Sequence, residues 1–148
     1  MAEDEEELGR LSYELQIQQE AGDAIRQQIQ AMQANILEIG SAMEAVRNLK
    51  KMKGDALLPL GGGVFISCPK PNPDKVVLAI GANVMVNKTP DEAVKLLEER
   101  QKKISDAIGT AQQDLGRVIA SIEELNQRAS ALAGEEARNV RPSKEQAR

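Results

Sequence analysis

The sequence has no histidine and no tryptophan, and it contains one cysteine, one tyrosine and one phenylalanine among its 148 residues. Histidine is the commonest general base and the commonest metal ligand, so its absence excludes Ser-His and Cys-His catalysis and His-based zinc sites. A single cysteine, Cys68, forms neither an internal disulfide nor a thiolate zinc site. We therefore expect no catalytic residues, no cofactor and no metal site, and we predict that the chain is not an enzyme.

The shortage of aromatic residues also argues against an ordinary compact domain, whose core normally depends on several of them. Aliphatic residues supply the apolar surface here, and Glu, Gln, Lys and Arg are abundant, which is typical of long helices and coiled coils. The formal net charge is −4. A general nucleic-acid-binding protein would show a basic face, so we expect no nucleic-acid partner.

Long hydrophobic runs are missing as well. No apolar run approaches the roughly 18 residues needed to span a bilayer. The chain begins with the acidic run Glu3-Asp4-Glu5-Glu6-Glu7, the reverse of a signal peptide, so we expect a cytoplasmic protein that does not contact a membrane. The same run could bind a metal or a basic ligand. A solvated helix N-terminus, where negative charge is favourable, explains it better.

The first long segment carries apolar side chains at alternating spacings of three and four residues. Ten of its twelve stripe positions are apolar, and the exceptions, Gln18 and Gly22, lie close together. A repeat of 3.5 residues sustained this far predicts a coiled-coil helix, which we place in residues 1–53 with a weak section at Gly22. The stripe positions are Leu8, Leu11, Leu15, Gln18, Gly22, Ile25, Ile29, Met32, Ile36, Ile39, Met43 and Val46.

A second helix is predicted in residues 89–133. Thr89-Pro90-Asp91-Glu92 has the features of a capped helix start. Equal stripe lengths and a short connector favour antiparallel pairing within the chain over pairing between chains. Residues 134–148 have mixed charges and Pro142, so we expect a disordered tail. The second stripe consists of Val94, Leu97, Gln101, Ile104, Ile108, Ala111, Leu115, Val118, Ile122, Leu125, Ala129 and Leu132.

Residues 54–88, between the helices, have the only pattern typical of β-structure. Short apolar runs bounded by Gly, Pro and Asn predict four strands in two hairpins, which turn near residues 60–63 and 81–83. The proline-rich crossover at 69–74 cannot pair as a strand, because proline lacks an N–H. So small a β-segment is not stable alone. It either lies on the helices or pairs with other subunits, and we favour oligomerisation because unpaired strand edges template pairing.

The residues that we expect at this interface are the apolar side chains of the four strands. They are Leu58, Leu60, Val64, Phe65, Ile66, Val77, Leu78, Ile80, Val84 and Val86.

Two features of the same segment suggest chemistry, and each has a better structural explanation. Gly61-Gly62-Gly63 is not followed by Gly-Lys-Ser/Thr, so it is not a phosphate-binding loop. It is better explained as a hairpin turn that needs positive φ. Cys68 has no histidine to activate it, and a structural thiol is the default interpretation.

In this order of helix, two hairpins and helix, the sequence resembles the alpha type of archaeal prefoldin subunits. The resemblance is carried by LLPLGGGVF at 57–65, by VVLAIGANVMV at 76–86 and by TPDEA at 89–93, and it covers roughly residues 8–132. Two hairpins rather than one separate the alpha type from the beta type. The prolines at 69–73 depart from the family pattern.

The resemblance implies an α+β fold, a long antiparallel two-helix coiled coil with two inserted β-hairpins that assemble into an intersubunit β-barrel. It implies a heterohexamer of two alpha-type and four beta-type subunits. It further implies an ATP-independent holdase that captures unfolded protein at the coiled-coil tips and transfers it to a group II chaperonin.

The tip, where the two helix ends meet, is the predicted binding site for unfolded clients. Terminal turns fray, which would expose inner apolar residues reversibly, although the same residues also complete the coiled-coil seam. An alternative function is a structural coiled-coil adaptor that oligomerises through its hairpins and does not bind unrelated denatured proteins. The predicted tip residues are Leu8, Leu11, Tyr13, Leu15, Leu125, Ala129 and Leu132.

Overall fold

A computed structural model describes residues 2–139 of the chain. The order of elements is helix, two hairpins and helix, which confirms the predicted fold class. The elements are α1 (Ala2–Arg47), a 3₁₀ turn (Leu49–Lys51), β1 (Ala56–Gly61), β2 (Val64–Cys68), β3 (Val76–Gly81), β4 (Val84–Lys88) and α2 (Pro90–Asn139).

The helix ends differ from the predicted boundaries. The first helix ends at Arg47 rather than near residue 53, because the chain tightens into the 3₁₀ turn, in which the Met52 N–H donates to the Leu49 carbonyl at 3.3 Å. The second helix continues through Gly134 to Asn139, since Glu135 and the following residues are adequate helix formers. The segment expected as a disordered tail therefore begins as helix, and residues 140–148 lie outside the described residues.

The start of α2 has the predicted capping box. The N–H of Glu92 donates to Thr89 Oγ1 at 3.3 Å, and the N–H of Thr89 donates to Glu92 Oε2 at 3.2 Å. Two of the backbone donors at the helix start are thereby satisfied reciprocally.

Two compact units make up the chain. We call residues 2–31 with 107–139 the terminal unit, and residues 32–106 the hairpin unit. None of the 24 predicted stripe positions is exposed in either unit. The helices therefore use the predicted faces as their seam.

Antiparallel pairing in the terminal unit is visible in three places. Leu11 and Leu125 are buried. Arg128 Nη2 lies 3.7 Å from Glu7 Oε1. A Cβ added at the buried Gly22 would lie 3.4 Å from Val118 Cγ1, and α1 continues without a break through this position.

The core of the hairpin unit is formed by Ile39, Met43 and Leu97, with Val94 and Ile104 packed against it. This is the predicted meeting of the end of the first helix with the start of the second. The polar seam residue Gln101 donates through Nε2 to the Ile36 carbonyl at 3.4 Å. An exposed ion pair, Arg47 Nη2 to Glu98 Oε1 at 3.1 Å, joins the same two helices.

The four strands form two separate antiparallel hairpins, hairpin 1 (β1–β2) and hairpin 2 (β3–β4). Each turn holds two residues at positive φ, Gly62 and Gly63 in the first, Ala82 and Asn83 in the second. Two-residue turns of this kind match the twist of the flanking strands. The predicted turn positions are thus confirmed.

The two hairpins repeat each other at a spacing of twenty residues. Leu58 pairs with Ile66 in hairpin 1, and Leu78 pairs with Val86 in hairpin 2. The ladders have the same register throughout, and both are irregular at the same point, between residues 59 and 61 and between 79 and 81. Every residue of one hairpin therefore has a structural counterpart in the other.

Candidate functional site

The predicted oligomerisation residues lie on surfaces that residues 2–139 leave largely uncovered. Eight of the ten are exposed. Leu78 and Val86 are half-buried, and Leu78 packs against the helix core. The exposed members are Leu58, Leu60, Val64, Phe65, Ile66, Val77, Ile80 and Val84.

Hairpin 1 has apolar side chains on both faces. Cross-strand partners share a face, so Leu58 and Ile66 lie on one side, and they are 51% and 50% exposed. The opposite side carries Leu57 and Phe65, which are also exposed. Only the strand ends, Ala56 and Cys68, are half-buried. Apart from these strand ends, the large apolar side chains on both faces of hairpin 1 are left exposed by residues 2–139.

Hairpin 2 differs because one of its faces rests on the chain's own helices. Leu78 contacts the cluster of Ile39, Met43 and Leu97. The guanidinium of Arg100 on α2 also donates to the Ala79 carbonyl on β3 at 2.6 Å. Its other face remains exposed and carries Val77 and Met85.

Two large apolar strand residues that are exposed are not in the predicted set. Leu57 and Met85 are each 68% exposed. Leu57 precedes Leu58 in one apolar run, and Met85 lies between Val84 and Val86. The alternation of side chains across a strand predicts that such neighbours occupy the opposite face, and that signal would have identified both.

The predicted tip residues lie together in the terminal unit but differ in exposure. Leu11 and Leu125 are buried in the seam, and Tyr13 is 66% exposed. Tyr13 lies off the stripe, four residues before the exposed Ile17, and residues four apart are neighbours on a helix surface. The remaining four, Leu8, Leu15, Ala129 and Leu132, are half-buried.

A further apolar residue of the terminal unit was not predicted. Ile119 is exposed, and it lines a shallow groove along α2 with Ile122, Asn126 and Gln127. It lies directly after the stripe residue Val118, so its apolar character outside the 3–4 pattern was the available signal.

The start of α1 lines an acidic groove of about 290 Å³. The buried Leu11 forms part of its lining, Arg10 pairs with Glu14 at 3.3 Å, and Arg128 contributes from α2. The terminal unit as a whole carries 13 acidic and 5 basic side chains in residues 2–31 and 107–139. The predicted acidic helix start is thus a solvated surface of negative potential.

Within residues 2–139, no three His, Cys, Asp or Glu side chains are placed to hold a metal ion together. No helix in the same range is long and apolar enough to cross a membrane. Cys68 is a free, half-buried thiol at the end of β2.

Comparison with known proteins gives this architecture a family. The sequence pattern of prefoldin subunits matches residues 18–135. Prefoldin subunit alpha of Thermofilum pendens is 31% identical over 118 residues, 78% of this chain and 92% of the relative. Prefoldin subunit alpha of Pyrococcus horikoshii is 29% identical over 132 residues, 87% of this chain and 89% of the relative.

A solved structure agrees with the fold. One chain of filamentous PFD from Methanocaldococcus jannaschii, determined by cryo-electron microscopy, superposes with a TM-score of 0.70 at 22% identity, covering 78% of this chain and 98% of that chain. The two helices with inserted hairpins define a subunit of a non-enzymatic chaperone. The chain belongs to the prefoldin family, which confirms the resemblance to archaeal alpha subunits and implies assembly with other prefoldin subunits.

Proposed function

We propose that the chain is the alpha-type subunit of an ATP-independent holdase that captures unfolded proteins at its coiled-coil tips and transfers them to a group II chaperonin. The assembly is a cytoplasmic heterohexamer of two alpha-type and four beta-type subunits. The observation that carries the proposal is the combination of exposed apolar strands in the hairpin unit with exposed apolar side chains off the seam of the terminal unit. One set serves assembly and the other serves clients.

Exposure of the hairpins supports the assembly part of this proposal. Contiguous exposed apolar surface marks a site of interaction, and strand edges pair readily with other strands. Closing the hairpins of several subunits into β-barrels would bury apolar strand faces and pair the free strand edges.

Tyr13, Ile17 and Ile119 support the client-binding part. They are exposed and lie outside the seam, so contact with a client does not require the coiled coil to open. The contact of one such side chain with a client is weak, but the coiled coils of several assembled subunits can bind the same client together and so raise the total affinity. A site of this kind accepts clients without a fixed shape, as a holdase requires. Family membership favours this function over the structural adaptor.

The test is aggregation of a chemically denatured client on dilution, measured by light scattering without nucleotide. The full chain assembled with a beta-type subunit is compared with a shortened chain that begins at Gly22 and ends at Gly116, assembled in the same way. We expect the full complex to suppress aggregation of unrelated clients and the shortened complex to fail while it remains assembled. Absence of suppression by both complexes would contradict the holdase function and favour the adaptor.

Transfer is tested separately, by adding a group II chaperonin with ATP to the client complex. Recovery of native client above the level reached without chaperonin is the expected result. A client that stays bound to the complex would contradict the transfer step alone.

A further inference from the structure

We propose that the terminal unit selects clients by charge as well as by apolar contact, and that it prefers unfolded segments in which lysine or arginine stands beside apolar residues. This preference rests on the proposed function, because it concerns the clients captured at the tips. Three features of the described residues carry it: the distribution of charge, the partners of the arginines and the surroundings of the exposed apolar side chains.

Negative charge is concentrated in the terminal unit. Its described residues, 2–31 and 107–139, carry 13 acidic and 5 basic side chains, a net charge of −8. The hairpin unit, residues 32–106, carries 9 acidic and 11 basic side chains, a net charge of +2. The terminal unit therefore has a negative potential that attracts cationic segments and repels anionic ones.

The basic side chains of the terminal unit are mostly engaged already. Four of the five in its described part lie within 3.7 Å of an acidic side chain of the same unit. A client carboxylate would have to compete with these pairs, whereas a client lysine or arginine meets an excess of eight acidic side chains. The pairs are Arg10–Glu14, Arg26–Asp23, Arg117–Asp114 and Arg128–Glu7.

The helix dipole does not explain this charge as a whole. It favours acidic side chains at the start of α1, but it disfavours them at the end of α2. Glu135 and Glu136 nevertheless stand near the end of α2, which reaches Asn139. The antiparallel contact of Arg128 with Glu7 brings this end of α2 to the start of α1. Like charges gathered at one tip repel each other and lower the stability of the folded chain, and a cationic ligand relieves that repulsion.

Exposed apolar side chains lie among these acidic residues. Ile17 is exposed, and Glu20 follows it by three residues, which makes the two neighbours on the helix surface. On α2, Glu123 lines the shallow groove beside the exposed Ile119. Tyr13, 66% exposed, offers a ring face that attracts cations. Because lysine and arginine combine an apolar stem with a cationic head, they match both parts of this surface.

A pair of labelled peptides tests the preference directly. Both peptides are unstructured and share the same apolar residues, and one carries lysine wherever the other carries glutamate. Fluorescence anisotropy measures the Kd of each for the full chain assembled with a beta-type subunit. We expect the lysine peptide to bind about tenfold more tightly at low ionic strength. The preference should shrink at about 0.5 M salt, because exposed charges are then screened.

Substitutions in this chain separate its contribution from that of the beta-type subunit. Replacing three exposed acidic side chains of the terminal unit by glutamine should lower the ratio of the two Kd values about threefold, while size-exclusion chromatography shows unchanged assembly. The matched control makes the same change at three exposed acidic side chains of the hairpin unit and should leave the ratio unchanged. The test variant carries Glu3→Gln, Glu6→Gln and Glu20→Gln, and the control carries Glu38→Gln, Glu44→Gln and Glu99→Gln.

Equal affinity of the assembled parent for the two peptides would overturn the charge preference and leave the proposed function intact. A ratio that the test variant changes no more than the control does would have the same consequence. A complex that binds neither peptide and does not suppress the aggregation of unrelated clients would overturn both the preference and the proposed function.

Discussion

The guanidinium of Arg100 on α2 donates a 2.6 Å hydrogen bond to the backbone carbonyl of Ala79 on β3. Next to Ala79 along the strand, Leu78 packs into the helix core. Hairpin 2 is thus held to its helices by one polar and one apolar contact. This attachment holds hairpin 2, one of the two hairpins with exposed apolar side chains, against the helices of the hairpin unit.

Replacing Arg100 by Gln should lower the free energy of unfolding by about 1 kcal/mol, since a hydrogen bond from a charged donor contributes more than a neutral one and this one is weakened by its exposure to solvent. Urea denaturation followed by circular dichroism at fixed protein concentration measures it. Lys102→Gln, at an exposed position on the same helix, is the matched control. Equal effects from the two variants would show that the bond to Ala79 contributes nothing.

The core of the hairpin unit should depend on Leu97, which is buried against Ile39 and Met43. Leu97→Ala should cost about 2–5 kcal/mol, because it removes apolar contact and leaves a cavity. Leu37→Ala makes the same chemical change at a side chain that is 73% exposed, and it should stay within about 0.5 kcal/mol of the parent. A comparable loss in both variants, measured by urea denaturation, would contradict the assigned core.

Gly22 offers a stabilising change in the terminal unit. A Cβ there would meet Val118 Cγ1 at 3.4 Å and Leu115 Cδ1 at 3.9 Å, which is contact without severe overlap. Gly22→Ala should therefore raise the free energy of unfolding by up to about 1 kcal/mol through helix propensity. Gly116→Ala, where nothing lies within 4 Å, reports propensity alone. If only the Gly22 variant lost stability, the seam would be too tight at this point for a methyl group.

The capping box gives a fourth prediction. Thr89→Ala removes the oxygen that accepts from the Glu92 N–H and should destabilise the chain by about 1 kcal/mol. Thr89→Ser keeps that oxygen and should change little. Thermal denaturation at one protein concentration compares them, and a serine variant as unstable as the alanine variant would rule out the cap as the cause.

The pairing of the two helices was predictable from the sequence because the apolar spacing that indicates it is repeated many times. The 3–4 spacing from Leu8 to Val46 defines the seam face at every turn, and small errors at single positions do not change it. The hairpin turns were predictable for a different reason, since two-residue turns with positive φ favour Gly and Asn. Boundaries were less predictable: the helices were expected to end at residues 53 and 133, whereas the first ends at Arg47 and the second continues to Asn139.

What covers each strand face was beyond the sequence pattern. Leu58 and Leu78 occupy equivalent ladder positions in similar apolar runs, so local sequence assigned both to the oligomerisation surface. Only the tertiary contact of Leu78 with the helix core separates them. The tip shows the same limit, because Leu11 and Tyr13 lie two residues apart and only the packing of α2 buries the first and leaves the second exposed.

The central claim is that exposed apolar side chains of the terminal unit capture clients. The most direct measurement is aggregation of a denatured client in the presence of the assembled complex carrying Tyr13→Ser and Ile17→Ser. Leu37→Ser is the matched control, since it removes an exposed apolar side chain of α1 from the hairpin unit. We predict that suppression of light scattering falls at least severalfold in the double variant and is unchanged in the control, with both complexes fully assembled. Full suppression by the double variant, or an equal loss in the control, would contradict capture at the tips.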